Sequence, residues 1–445
     1  MNKLEKTKQK LDTVSPSFCL AKWQQVTIHL QNGHTHSCHH PQTHKIPLAE
    51  IEKDPSALHN TLHKKQQRKM MLEGKRPDEC GYCWKVEDTE GDHYSDRVKK
   101  SGNSVWAEPY FDKVATSKWD QPVNPAQIEV SFGNVCNMKC VYCSPVFSSE
   151  WWSEVKNHGA YPTQDSYNNL EWIDETERTP YLNREDNPYV DAWWRWWPEA
   201  RKELKTLRVT GGEPFLNKNT TKLIQDIEKN PLPEMRLEIN TNLSLSSDII
   251  TSNVLRLKHL KESGKVKDVM IHTSCDCHGD QAEYIREGMD YNKWYTNCNM
   301  VVKSGISLHI MVTANLLSID TMYKLMTDIY ALKREYGGVY GEGVTYGVSI
   351  LHSPNFLNLL SLPKTEYWKQ KFTDVFEYVS GSEHTGVNEF NYVQRLMNYY
   401  NENQLDTVEL EKRISDCKNF VHEIDRRRNK NFTNTFTNYN FLIQA

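Results

Sequence analysis

No stretch of this chain approaches the 18 or more consecutive apolar residues that a membrane span requires, and mean hydropathy is low, at -0.73. An excess of one charge is missing too. Fifty-four basic residues against 58 acidic ones leave a formal net charge of -4, so composition makes no electrostatic case for nucleic acid. The opening "MNKLEKTKQKLDTVSPSF" has no apolar core and does not read as a signal peptide. No sequence repeat is evident. These absences predict a cytoplasmic protein with neither a membrane nor a nucleic-acid partner. In such a reducing compartment eleven cysteines do not make a disulfide framework. They stand in groups separated by long intervals, which reads as metal sites.

What is present from Ala126 onward is alternation. Strand-like runs stand at 127–133, 206–212, 236–242, 268–274, 307–313 and 344–350. Each is short, β-branched and apolar, as buried parallel strands require. Amphipathic stretches such as "NTTKLIQDIEKN" lie between them. Six such units predict an α/β fold, an open six-stranded (β/α)6 partial TIM barrel over residues 116–362. Residues 148–200 break the rhythm with seven tryptophans: Trp151, Trp152, Trp172, Trp193, Trp194, Trp196 and Trp197. They read as a helical insertion packed into the barrel wall, or else as a lid beside the cysteines that precede it. A C-terminal helical extension is expected over 363–445, and a separate cysteine-rich unit over 1–115.

In "SFGNVCNMKCVYCSP" three thiolates, Cys136, Cys140 and Cys143, leave one loop after the first strand. Two options follow. A structural zinc needs a fourth protein ligand, whereas a [4Fe–4S] cluster held by three cysteines keeps one iron open. Tyr142 precedes the third cysteine, and "TGGEP" (210–214) ends the second strand. Paired glycines let backbone approach a ligand, and the glutamate supplies an acceptor for an ammonium group. "INTNL" (239–243), "TSCDC" (273–277) and "TAN" (313–315) end later strands, where catalytic residues of an α/β barrel belong, and "EYIR" (283–286) lies in a following helix.

This combination resembles the radical S-adenosylmethionine superfamily over about 126–360. The resemblance implies that Cys136, Cys140 and Cys143 ligate a [4Fe–4S] cluster whose open iron binds the amino and carboxylate groups of S-adenosylmethionine. It implies that Tyr142 contacts the adenine and that Glu213, behind Gly211 and Gly212, accepts from the methionine ammonium. Ser274 and Asn240 or Asn242 would face the ribose, Arg286 would pair with the carboxylate, and Asn315 joins the cofactor-binding set. An electron from a donor such as flavodoxin or ferredoxin would then yield a 5′-deoxyadenosyl radical that takes hydrogen from substrate.

The N-terminal order Cys19, Gly33-x4-Cys38, Cys80-x2-Cys83 resembles the twitch domain, the short form of the SPASM domain, which binds an auxiliary [4Fe–4S] cluster. Here the pattern precedes the barrel instead of following it. A four-cysteine zinc site is the alternative, with His34, His36, His39 and His40 as further ligands in reserve. Relatives with such domains commonly modify peptides or proteins. A radical enzyme acting on a peptide or protein, by epimerisation or crosslinking, is therefore the expectation. A small-molecule radical enzyme and a non-catalytic iron–sulfur electron carrier are the alternatives. Cys275 and Cys277 read as small buried hydrophobes. The sharper expectation makes Cys277 or Cys298 a hydrogen-atom donor to a substrate radical.

Overall fold

An open barrel leaves the backbone edge of its first strand unpaired, and that edge must be answered. In the computed structural model, which describes residues 2–91, 93–182, 186–338 and 342–442, a strand from the N-terminal segment answers it. The strands are β1 (Gln25–His29), β2 (His34–His36), β3 (His44–Lys45), β4 (Gln127–Ser131), β5 (Thr206–Thr210), β6 (Leu232–Asn240), β7 (Val266–Ser274), β8 (Ser307–Ala314) and β9 (Val344–Ile350). They lie in the order β9-β8-β7-β6-β5-β4-β1-β2-β3. From β4 to β9 every pairing is parallel. The expected six-stranded sheet is thus corrected to a nine-stranded one. β1 pairs parallel to β4 with Val26 opposite Ile128 and Ile28 opposite Val130, so apolar faces coincide and register is fixed. β2 and β3 continue antiparallel.

Pleating divides the sheet into two faces. Ile128, Val209, Leu237, Ile271, Leu308 and Ile310 are fully buried in one core with the flanking helices. Glu129, Arg208, Asn240, His272 and His309 alternate with them and point to the inner face.

The insertion packs. Ser148 and Asn187 cap the helices Ser149–His158 and Pro188–Ala200 with their side chains. Trp151, Trp193, Trp196 and Trp197 are buried. The helix Pro188–Ala200 wedges between the N-terminal segment and the barrel. Asn187 donates to the Leu30 carbonyl at 2.8 Å, Tyr189 to that of Ile46 at 3.0 Å and Arg195 to that of Ile51 at 2.8 Å, while the Trp197 indole reaches Asp226 at 2.7 Å. The indoles fill a seam.

The C-terminal helices include Glu366–Ser380, Val387–Glu402 and Thr407–Arg428. The last ends in a buried ion pair: Arg428 contacts Glu154 through Nε at 3.1 Å and Nη2 at 2.9 Å, and donates through Nη1 to the Lys139 carbonyl at 2.7 Å. Burial by itself would raise the Glu154 carboxyl, but Arg428, Lys139 and Tyr161 hold it down at about 2. A carboxyl depressed from 4.5 contributes stability that is full above that pH and fades as pH falls towards 2. Arg428→Met should therefore cost about 3 kcal/mol in urea unfolding at pH 7, the low end for a broken buried pair because Lys139 remains. The difference from the parent should shrink below pH 4. A loss under about 1 kcal/mol would mean that Lys139 alone balances Glu154.

Candidate active site

Beyond β4 the chain turns back against the end of β5, and the two backbones meet with no room for side chains. A Cβ on Gly212 would stand 2.2 Å from the Val135 carbonyl oxygen, and one on Gly211 would stand 2.8 Å from that of Gly133. Gly211 also has φ 121°, in the region that favours glycine. What the glycine pair admits is the cysteine loop itself. The Gly212 amide donates to Gly133 at 3.2 Å and the Glu213 amide to Val135 at 2.6 Å, which brings Glu213 beside the thiols.

The loop is held from outside as well. Lys139–Cys140 pairs antiparallel with Arg286–Glu287. The Trp151 indole donates to the Cys140 carbonyl at 2.8 Å, and the Cys136 amide donates to Ser149 Oγ at 3.1 Å. Cys136, Cys140 and Cys143 are half-buried. Burial and the neighbouring thiols push Cys136 far up and Cys143 up to about 12. Thiols so disposed ionise only against a compensating positive charge, which suits the iron of a cluster. Among the described residues, no three His, Cys, Asp or Glu side chains stand at the spacing of ligands to a single metal ion.

Glu213 is 1% exposed. Its oxygens accept from the backbone amides of Phe215 at 3.0 Å and Asn242 at 2.8 Å, and burial raises the carboxyl to about 7. No basic side chain is among its partners in the described residues. Asn242 also donates to Asn137 Oδ1 at 2.7 Å, within the cysteine loop, and Asn240 accepts from Arg208 Nε at 2.9 Å. Ser274 is half-buried at the end of β7.

Several of the expected site residues are engaged by protein neighbours. Asp276 takes Arg286 Nε at 3.0 Å and Nη2 at 3.1 Å, which leaves Nη1. Tyr142 donates to Asp276 Oδ2 at 2.7 Å and also meets Arg286 Nη2, while Nη1 lies 3.7 Å from Cys140 Sγ. Asp276, an acid between two cysteines at a strand end, shares a strand face with Ser274; sequence alone does not show that it binds Arg286 and Tyr142. Asn315 is wholly buried and spends its amide on its own turn, donating to the Thr313 carbonyl at 2.8 Å and accepting from the Leu317 amide at 3.0 Å. Cys277 and Cys298, with Cys275, are fully buried in the core. Burial drives their thiols up.

The four N-terminal cysteines come together. Cys19, Cys38, Cys80 and Cys83 line one cavity with Lys22 and Arg97. Cys19 is pushed up to about 12 by burial and by the other three, and Cys80 to about 11, chiefly by burial. Arg97 is fixed by Glu87 at 2.9 Å and by the Phe18 carbonyl at 3.0 Å. Of the reserve histidines only His40 lines the cavity, and its Nε2 is engaged by Asp96 at 2.8 Å. His34 is turned to Thr43 and the Glu177 carbonyl.

Comparison with known families matches residues 130–329 to the Radical SAM superfamily. No curated protein matches. Among solved structures the chain is similar to Streptococcus suis SuiB. With S-adenosylmethionine bound, that structure is 14% identical over 81% of this chain and 69% of that one, with a TM-score of 0.37. Bound to the precursor peptide SuiA, it is 13% identical over 88% and 89%, with a TM-score of 0.34. At such scores the likeness supports no argument about this chain.

The buried pair offers a test. Asp276→Asn and Arg286→Gln should each cost about 3 kcal/mol in chemical unfolding, because each leaves the other charge without its partner. The double variant should cost little more than either single one, since both remove the same interaction. Additive losses would mean that the two residues act independently.

Proposed function

This chain is an enzyme of the radical S-adenosylmethionine superfamily by its domain at residues 130–329, and from that premise we propose that it modifies a peptide or protein held against the inner face of its sheet. Cys136, Cys140 and Cys143 hold a [4Fe–4S] cluster. Glu213 takes the methionine ammonium, Asn240, Asn242 and Ser274 face the ribose, and Tyr142 lies by the adenine. Arg286 serves through Nη1, the nitrogen that Asp276 leaves over. The observation that carries this reading is Glu213, a buried carboxylate without a cationic partner beside three thiols. Such a group calls for a cation. When bound, the cluster and S-adenosylmethionine supply reductive cleavage of the sulfonium and a 5′-deoxyadenosyl radical that abstracts hydrogen. The chain's part is to position the reactants and exclude water.

Cys19, Cys38, Cys80 and Cys83 hold an auxiliary [4Fe–4S] cluster; zinc, the alternative, would need the thiols closer together than they stand. Lys22, paired with Glu79, and Arg97, paired with Glu87, lie beside the four thiols and favour their ionised form. We retain a cysteine-rich unit over 1–115, a barrel over 116–362 and a helical extension over 363–445. The enzyme is cytoplasmic and draws electrons from a flavodoxin or ferredoxin. The twitch resemblance favours a peptide substrate. One observation favours a small molecule instead: β3 spans two residues and β9 packs against the helix Val387–Glu402, so neither edge offers an extended chain a long template.

Anaerobic reconstitution tests the proposal. Dithionite and S-adenosylmethionine should yield 5′-deoxyadenosine, with about eight irons per chain from one four-iron cluster per site. Changing Cys136, Cys140 and Cys143 together to Ala should leave about four irons and no cleavage. Glu213→Ala should keep the iron and bind S-adenosylmethionine roughly ten- to hundredfold more weakly. Absence of 5′-deoxyadenosine from the parent refutes the catalytic reading. Zinc in anaerobically purified protein refutes the auxiliary cluster.

A further inference from the structure

The inner face of the sheet carries polar groups that the cofactor contacts leave unused. Register sets His29 opposite Ser131, Asn240 opposite His272 and His272 opposite His309. One row below, Thr27 faces Glu129, Glu129 faces Arg208 and Arg208 faces Glu238. In these two rows Thr27 Oγ1, His29 Nδ1, Ser131 Oγ and His272 Nδ1 are buried without a hydrogen-bond partner among the described residues. Native interiors rarely leave such atoms unanswered. Four on one face, from strands β1, β4 and β7, point to a polar ligand.

The charges indicate its sign. Glu238 is answered by His272 Nε2 at 3.0 Å and by Arg236 at 3.4 Å. Arg208 is not so served. Its close partners are neutral, Asn240 Oδ1 at 2.9 Å and Met311 Sδ at 3.4 Å, and the Glu129 carboxylate is 4.0 Å away. Burial first, then His272 and Arg208, holds His309 at about 3, so this imidazole adds no positive charge near neutral pH. A guanidinium leaning on neutral acceptors favours an oxyanion. His272 donates through Nε2 to Glu238, which leaves Nδ1 as an acceptor for a hydroxyl or N–H of the same ligand. Ser131 lies against Gly211, where an added Cβ would stand 2.7 Å from its Oγ, so this face adjoins the cofactor motif.

We propose that the inner face seats the substrate by an anionic group, a carboxylate or phosphate, on Arg208 and Ser131, with a neighbouring hydroxyl or N–H donating to His272. This rests on the radical reading above and names the chemistry of its substrate, whether a free molecule or an acidic or phosphorylated residue.

Calorimetric titration of the anaerobically reconstituted protein with inorganic phosphate, and separately with malate, tests the seat without turnover. The parent should bind at least one of them at a single site. Arg208→Gln should weaken that binding roughly tenfold or more, as expected for a lost charge-assisted contact, and Arg208→Lys should weaken it less. His272→Ala provides a second variant should Arg208→Gln not fold, and should weaken malate, which carries a hydroxyl. S-adenosylmethionine affinity in the same samples should fall far less than anion affinity, and in His272→Ala hardly at all, which separates an anion seat from a damaged cofactor site. Preference for phosphate assigns a phosphoryl head, and preference for malate a carboxylate. No binding of either by the parent, or undiminished binding by all the variants, overturns the proposal. A parent that binds the anion but releases no 5′-deoxyadenosine overturns the radical reading and leaves the seat standing.

Discussion

Asp276 is fully buried, and its two oxygens accept from the Tyr142 hydroxyl, from Nε and Nη2 of Arg286 and from the Thr313 amide. Three segments therefore converge on the end of β7: the cysteine loop, the helix end at Arg286 and the end of β8. A carboxylate without water is costly unless every lone pair finds a donor, so this network forms as a whole or not at all. Its net contribution to stability is modest for the same reason. What it secures is geometry. Arg286 belongs to the short ladder that pairs with Lys139–Cys140, so the charge that fixes Arg286 also fixes the backbone carrying the middle thiol.

The legible parts of the sequence were those whose signal is local. The runs at 127–133 and 206–212 became β4 and β5 with their glutamate and cysteine motifs at the strand ends, because alternation and turn chemistry act over a few residues. The glycine pair was legible, but its partner was not. Nothing in "TGGEP" announces that Val135 packs against it. β1 escaped notice because "QVTIH" is five residues inside a segment dominated by cysteine and histidine, and only pairing with β4 makes it a strand. The engagement of Arg286 by Asp276 was illegible for a related reason. Its partner lies ten residues back across a helix, and spacing cannot tell whether an arginine is free. Asn315 was read from a motif position, whereas its amide completes a turn.

Joining β1 to the barrel has a wider consequence. It makes the unit that holds Cys19 and Cys38 continuous with the sheet that holds Cys136. The helix Pro188–Ala200 then seals the seam with buried indoles and with hydrogen bonds to the Leu30, Ile46 and Ile51 carbonyls. A hinge between the two cysteine groups would have to break the β1–β4 ladder and open that seam at once. Their relative position is thus set by the same hydrophobic burial that sets the fold.

That rigidity bears on the inner face. A barrel interior filled with apolar side chains needs no ligand, whereas this one carries Arg208, Glu129, Glu238 and several imidazoles, at a cost in desolvation. The cost is lowered by keeping the histidines neutral, His29 at about 3 and His36 at about 4 through burial first, and by pairing Glu238 with Arg236. Arg208 remains as the cation whose close partners are all neutral. Had the face served packing alone, a neutral residue on β5 would have met Asn240 and Met311 equally well. A guanidinium there is only partly compensated by Glu129 at 4.0 Å and gains most once a closer anion lies against it, which is the energetic pattern of a binding site rather than of a core.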